Sequence, residues 1–216
     1  MSHELTALTV TAFSLGLIHT VLGPDHYIPF VAMAKARAWS TTRTLILTVL
    51  CGFGHVLSSV VLGFIGVALG TAVVRLELIE SVRGDITAWV LTGFGLVYFI
   101  WGLRRAGRKH VHNHLPENGE GKKANITPWI LFTIFVLGPC EPLIPLIMYP
   151  AAKMSTGAVV LVALVFSLTT VATMTVMVTV LKRGIEFIPA DKLHRYAHAL
   201  AGFALLACGL AIQLGL

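Results

Sequence analysis

The chain has 216 residues, 56% of them hydrophobic and only 12% charged, with a formal net charge of +6 and a mean hydropathy of +0.83. A water-facing domain carries about 25% charged residues, so this composition excludes an ordinary soluble enzyme and leaves no length for a separate soluble domain. The positive charge does not mark a nucleic-acid binder, because the Lys and Arg residues cluster at the joints between apolar runs.

Six such runs follow one another: Leu5–Ala34, Thr44–Val74, Ile86–Leu103, Pro128–Ala152, Thr156–Leu181 and Leu193–Leu216. Crossing about 30 Å of hydrocarbon takes roughly 20 residues, and each run suffices, so six transmembrane helices are expected. The first run lacks a positive leader segment before it (Met1-Ser2-His3-Glu4) and is too long for a signal-peptide core. It reads as a span. Within it, Gly23-Pro24 breaks the helix, because proline lacks the backbone donor and clashes with the carbonyl four residues back. Asp25 lies ten residues before Lys35, about 15 Å along a helix, which puts it near mid-membrane. An ionisable group at that depth is functional by default and has a partner; His26 is that partner or a co-ligand. His19, two turns earlier, would be about 10.5 Å away in a straight helix, but the break frees that distance and leaves it a gate or a ligand. The plainer alternative is a structural Asp–His hydrogen bond.

In the second run His55 lies at a similar depth, after Gly52-Phe53-Gly54, and reads as a ligand, a proton relay or a packed core histidine. The third run leads into the only long polar connection, where His110, His112 and His114 alternate in a pattern that collects metal ions. The fourth run carries Gly138-Pro139-Cys140-Glu141-Pro142, a second broken segment. A threonine stripe (Thr169, Thr170, Thr173, Thr175, Thr179) marks the fifth run, and His194 and His198 open the sixth.

Val21-Leu22-Gly23-Pro24-Asp25-His26 and Val136-Leu137-Gly138-Pro139-Cys140-Glu141 share four residues and differ only at chemically active positions. The same register lays His55 over Thr170, while Gly93-Phe94 answers Gly202-Phe203 more weakly. Halves of three spans enter the membrane with opposite polarity, so the expectation is an all-α membrane protein of two inverted three-helix repeats, with broken helices meeting at the midplane. Residues 1–103 form the first repeat, 104–127 a His-rich cytoplasmic linker and 128–216 the second repeat. Assigning connections alternately to the two sides puts 13 of the 16 basic residues on one side and only Arg75, Arg83 and Lys153 on the other. The positive-inside rule then gives a multi-pass inner (plasma) membrane protein with both termini outside.

Imidazole, thiolate and carboxylate together suit a divalent transition metal better than Mg²⁺ or Ca²⁺. His19, Asp25, His26, His55, Cys140 and Glu141 are the candidate ligands, Gly23, Pro24, Gly138, Pro139 and Pro142 the helix breakers, and His110, His112 and His114 an auxiliary metal tract. The chain resembles the nickel/cobalt transporter superfamily, including its efflux and urease-accessory-type members within the lysine-exporter-like group. The likeness lies in His19 through Asp25-His26, in Gly54-His55 with Ser58-Ser59-Val60-Val61, and in Leu137-Gly138-Pro139-Cys140-Glu141. It implies a secondary transporter of a nickel- or cobalt-like ion rather than an enzyme, with efflux as one option and the direction left open, the metal as substrate and no permanently bound cofactor. Partners are the lipid bilayer and the metal ion; a homo-oligomer is left open.

Two alternatives come from other classes. One is an exporter of a small anion such as sulfite, or of another small solute. The other is a membrane thiol-redox relay, which also uses inverted three-helix halves but needs two cysteines exchanging a disulfide. The three cysteines, Cys51, Cys140 and Cys208, are widely spaced, and Cys140 is matched in the other half by Asp25 rather than by a cysteine.

Overall fold

The computed structural model describes residues 3–107, 127–186 and 194–215. Eight α-helices and no strands appear among the described residues: α1 (His3–Leu22), α2 (Ile28–Ala36), α3 (Thr41–Ala68), α4 (Val73–Gly107), α5 (Thr127–Leu137), α6 (Leu143–Lys153), α7 (Thr156–Glu186) and α8 (Ala197–Gln213). Four of them, α1, α3, α4 and α7, are long and apolar enough to cross a membrane, and α5, α6 and α8 are shorter apolar helices. The six uniform runs of the sequence therefore become a less regular set. The first run divides into α1 and α2 and the fourth into α5 and α6, at the two Leu-Gly-Pro copies.

Helix ends follow local chemistry. Ser40 caps α3 by accepting from the Arg43 backbone N–H at 3.2 Å. Helix α1 stops where Pro24 follows Gly23, and the Gly23 N–H closes the last turn on the His19 carbonyl at 2.9 Å. A single 3₁₀ turn, Pro24–His26, then redirects the chain into α2. Helix α5 ends the same way, with the Gly138 N–H on the Ile134 carbonyl at 2.9 Å before Pro139.

The outward face of the bundle is apolar. Leu22, Leu57, Leu69, Trp89, Val97 and Trp129 are each more than half exposed, as lipid-facing side chains are. Between helices the fit is closest along α4 and α8. A Cβ on Gly95 or Gly102 would collide with the backbone of α8, and one on Gly202 with the backbone of α4. Gly209 meets α4 in the same way, at Thr92. Both helices thus present glycines seven residues apart, which lets backbones touch and dispersion replace the hydrophobic effect that lipid does not supply. Gly93, the residue that the weak Gly-Phe likeness matched with Gly202, has nothing within 4 Å of a Cβ, and Gly95 is the glycine of that stretch that packs.

One further difference concerns α4. Its 35 residues begin at Val73, thirteen positions before the apolar run. Arg83, expected in an external connection, instead lies inside the bundle, hydrogen-bonded to α3. The run looked shorter because Glu77, Glu80, Arg83 and Asp85 interrupt its hydropathy.

Candidate functional site

The two breaks lie against the middle of α3. At the first break the His26 ring folds back on its own turn. Its Nδ1–H donates to the Gly23 carbonyl and the Asp25 carboxylate, both at 3.2 Å. A side chain at position 23 would strike that ring, which accounts for the glycine. The Tyr27 hydroxyl donates to the Val21 carbonyl at 3.1 Å, satisfying one of the acceptors that the end of α1 leaves open.

The second break is held by groups the sequence reading passed over. Glu80, fully buried, pairs with Arg83 one turn on along α4. The Cys140 N–H donates to Glu80 Oε2 at 3.1 Å. Arg83 donates to the carbonyls of Val136 and Gly138 at 2.9 and 3.3 Å, and to the Ser58 hydroxyl at 2.7 Å. The anion thus meets an orphan donor ahead of α6 and the cation meets the carbonyls that end α5, as the helix dipoles favour. Unwound backbone inside a bilayer survives only where the protein pairs its polar groups. The available signal was the i, i+3 spacing of Glu80 and Arg83 beside an apolar run, read instead as a solvated joint.

Between the breaks stands His55. Its Nδ1–H donates to the Phe135 carbonyl at 3.2 Å, and its ring lies against Gly138, where a Cβ would come within 3.1 Å. The His26 ring centre is 4.7 Å from that of His19 and 5.1 Å from that of His55. One ring nitrogen each from His19 and His55, and the Cys140 sulfur, all lie within 4.8 Å of one another. Asp25 and Glu141 line the adjoining cavity, about 430 Å³ in volume, with His19, His26, His55 and Pro139. Of the six candidate ligands, His19, His55 and Cys140 form the compact group, the His26 ring packs against both histidines, and the two carboxylates line the cavity. The tract His110, His112 and His114 lies outside the described residues.

The cysteines are all free and buried. They occupy three different packing clusters: Cys51 with Phe30 and Met174, Cys140 with Val56 and Phe166, Cys208 with Leu91 and Leu205.

A family model described as the cytochrome C biogenesis protein transmembrane region matches residues 10–211. The chain belongs to this family. No curated protein and no solved structure matches it. The cytochrome c biogenesis match overturns the assignment to the nickel/cobalt transporter superfamily, and with it the expectation of nickel or cobalt transport. The misleading residues were short motifs, and they fitted loosely: five residues, not four, separate His19 from Asp25, and two stand between His55 and Ser58. Gly-Pro breaks flanked by ionisable groups are what any midplane site built on interrupted helices requires, so their presence did not discriminate between families.

Proposed function

We propose that this chain works as a membrane thiol-redox component of cytochrome c biogenesis, with Cys140 as its exchanging thiol. The observation that carries the reading is the family match across residues 10–211, which spans both broken segments and takes in Cys140. Cys140 is also the cysteine placed at a helix break beside a cavity-lining residue, Glu141, whereas Cys51 and Cys208 lie within continuous helices.

With the corresponding position of the first half occupied by Asp25, the relay proceeds through mixed disulfides with partner proteins. The Cys140 thiolate attacks an acceptor disulfide; the new S–S bond forms as the old one breaks, and the leaving sulfur takes up a proton. A thiolate of a donor dithiol then attacks the Cys140 sulfur and frees the reduced acceptor. The donor's second thiolate closes the donor disulfide and releases Cys140 as a thiol. Two electrons and two protons pass from dithiol to disulfide. Exchange at a buried thiol requires the broken segments to open, first to one partner and then to the other.

The finer architecture belongs to the same reading: six spans in two inverted halves, in the inner membrane, with both termini outside. The orientation rests on the placement of the basic residues, and the inverted halves are supported by the pattern of helix contacts. Exchanging α1 with α5, α2 with α6, α3 with α7 and α4 with α8 turns α1·α7 packing into α3·α5 and α2·α8 into α4·α6. The same exchange relates α2·α3 to α6·α7 and α2·α7 to α3·α6, while α3·α7 and α4·α8 map onto themselves; all of these contacts are present.

The test is covalent haem in c-type cytochromes, in cells whose own copy of the gene is deleted. Cys140→Ser should give the same haem-stained level as the deletion, whereas Cys51→Ser and Cys208→Ser should restore it. Full restoration by Cys140→Ser would overturn the assignment.

A further inference from the structure

His19 and His55 beside Cys140, and the His26 ring packed against them, are not explained by thiol exchange. Their Nε2 atoms, on His19, His26 and His55, are all buried and without a hydrogen-bond partner. His26 and His55 are 3% and 4% exposed, so water does not compensate, and a buried unpaired polar atom costs about 1–3 kcal/mol. The Nδ1 sides are well served. Each of these two rings donates Nδ1–H to fixed oxygen acceptors: His26 to Asp25 and Gly23, His55 to Phe135. Donation from Nδ1 fixes the tautomer and leaves the Nε2 lone pair free, the arrangement in which metal-binding histidines are held, often by a carboxylate such as Asp25. The His26 and His55 lone pairs are held in this way, and ring nitrogens of His19 and His55 lie within 4.8 Å of the Cys140 sulfur.

We propose that His19, His55 and Cys140 bind a d¹⁰ transition-metal ion, Zn²⁺ or Cu⁺, through two ring nitrogens and one sulfur, with the His26 ring packed against both histidines. Imidazole and thiolate select such ions over hard cations. A tetrahedral site has metal–nitrogen bonds of about 2.0–2.1 Å and a metal–sulfur bond of about 2.3 Å, which sets its ligand atoms about 3.5 Å apart. The separations of up to 4.8 Å among His19, His55 and Cys140 therefore close by about 1 Å on binding, within reach of rotamer changes at a helix break. Binding converts the Cys140 thiol to a metal-bound thiolate, releasing one proton to solvent, with no change of oxidation state. It requires reduced Cys140 but no partner protein, so it stands or falls independently of the relay.

The experiment uses the full chain, purified in detergent under reducing conditions through a tag free of histidine, with His110, His112 and His114 replaced by Ala to remove the linker tract. Zn²⁺ and Cu⁺ are titrated separately against chromophoric chelators, with Mg²⁺ as the control. The expected result is about one equivalent of Zn²⁺ or Cu⁺ per chain and none of Mg²⁺, with binding weakened at least about 100-fold in His55→Ala and in Cys140→Ser, the upper end of what loss of a merely supporting group costs. A second measurement avoids variants that misfold. In the same protein carrying Cys51→Ala and Cys208→Ala, the ion should slow maleimide labelling of Cys140 in denaturant-free detergent, and a chelator should reverse the effect. No stoichiometric binding by the parent, unchanged affinity in both variants, or labelling indifferent to metal would each overturn the site. Loss of metal binding with cytochrome maturation intact would remove the metal and keep the relay; the converse would keep the metal and remove the relay.

Discussion

Glu80 and Arg83 show how a buried ion pair can hold unwound backbone in place. Neither a charge nor an unwound backbone is tolerated alone in an apolar interior, yet here each resolves the other's difficulty. Glu80 accepts from the Cys140 N–H, and Arg83 covers two carbonyls of the same break. Removing one member of a buried pair leaves the other uncompensated, at about 3–5 kcal/mol. Glu80→Gln and Arg83→Gln should each lower thermal stability in detergent and speed maleimide labelling of Cys140, and the double variant should be less destabilised than the sum of the singles. Singles as stable as the parent would show that the pair does not hold the break. At this scale the sequence was informative wherever an ionisable residue interrupted an apolar run: His19, Asp25, His26, His55 and Cys140 stood out for that reason. It was uninformative for Glu80 and Arg83, because four charges in close succession look like a solvated joint until the helix is seen to continue through them.

Helix interruptions and helix contacts carry the next level. Both breaks were readable from Gly-Pro, since the backbone chemistry of proline does not depend on tertiary context. The contact between α4 and α8 was only partly readable. Glycines were visible in both segments, but which face they occupied depended on a register two residues different from the aligned Gly-Phe pairs. Gly202→Ala forces a Cβ into the backbone of α4 at Phe99 and should cost about 1–3 kcal/mol, as overpacking does. Gly93→Ala, on the same pair of helices but facing open space, should be neutral within about 0.5 kcal/mol. Unfolding of the two variants in detergent, compared side by side, separates close helix packing from a general intolerance of α4 and α8 to substitution. Equal effects would discard the close-contact interpretation.

Across the whole molecule, hydropathy gave the all-helical membrane class, because lipid demands apolar surface and internally paired backbone. The family did not follow from the same residues: breaks, carboxylates and histidines at mid-membrane are shared by chemically different proteins, and only comparison along most of the chain separated them. Orientation rests on charge. Cysteines introduced at Ser40, between α2 and α3, and at Thr71, between α3 and α4, in a chain with Cys51, Cys140 and Cys208 replaced, should be labelled from opposite sides, Thr71 from outside by a membrane-impermeant maleimide. Labelling of position 40 in intact cells would reverse the topology. The most direct test of the redox reading is to look for Cys140 in covalent exchange. With Cys51→Ala and Cys208→Ala, membranes are acid-quenched to freeze thiol exchange, alkylated, and separated by electrophoresis without and then with reductant. Cys140 should be recovered in part as a mixed disulfide with another protein, released by reductant and absent when Cys140→Ser is added. Cys140 found wholly as a free thiol under both oxidising and reducing growth would contradict a role in thiol exchange.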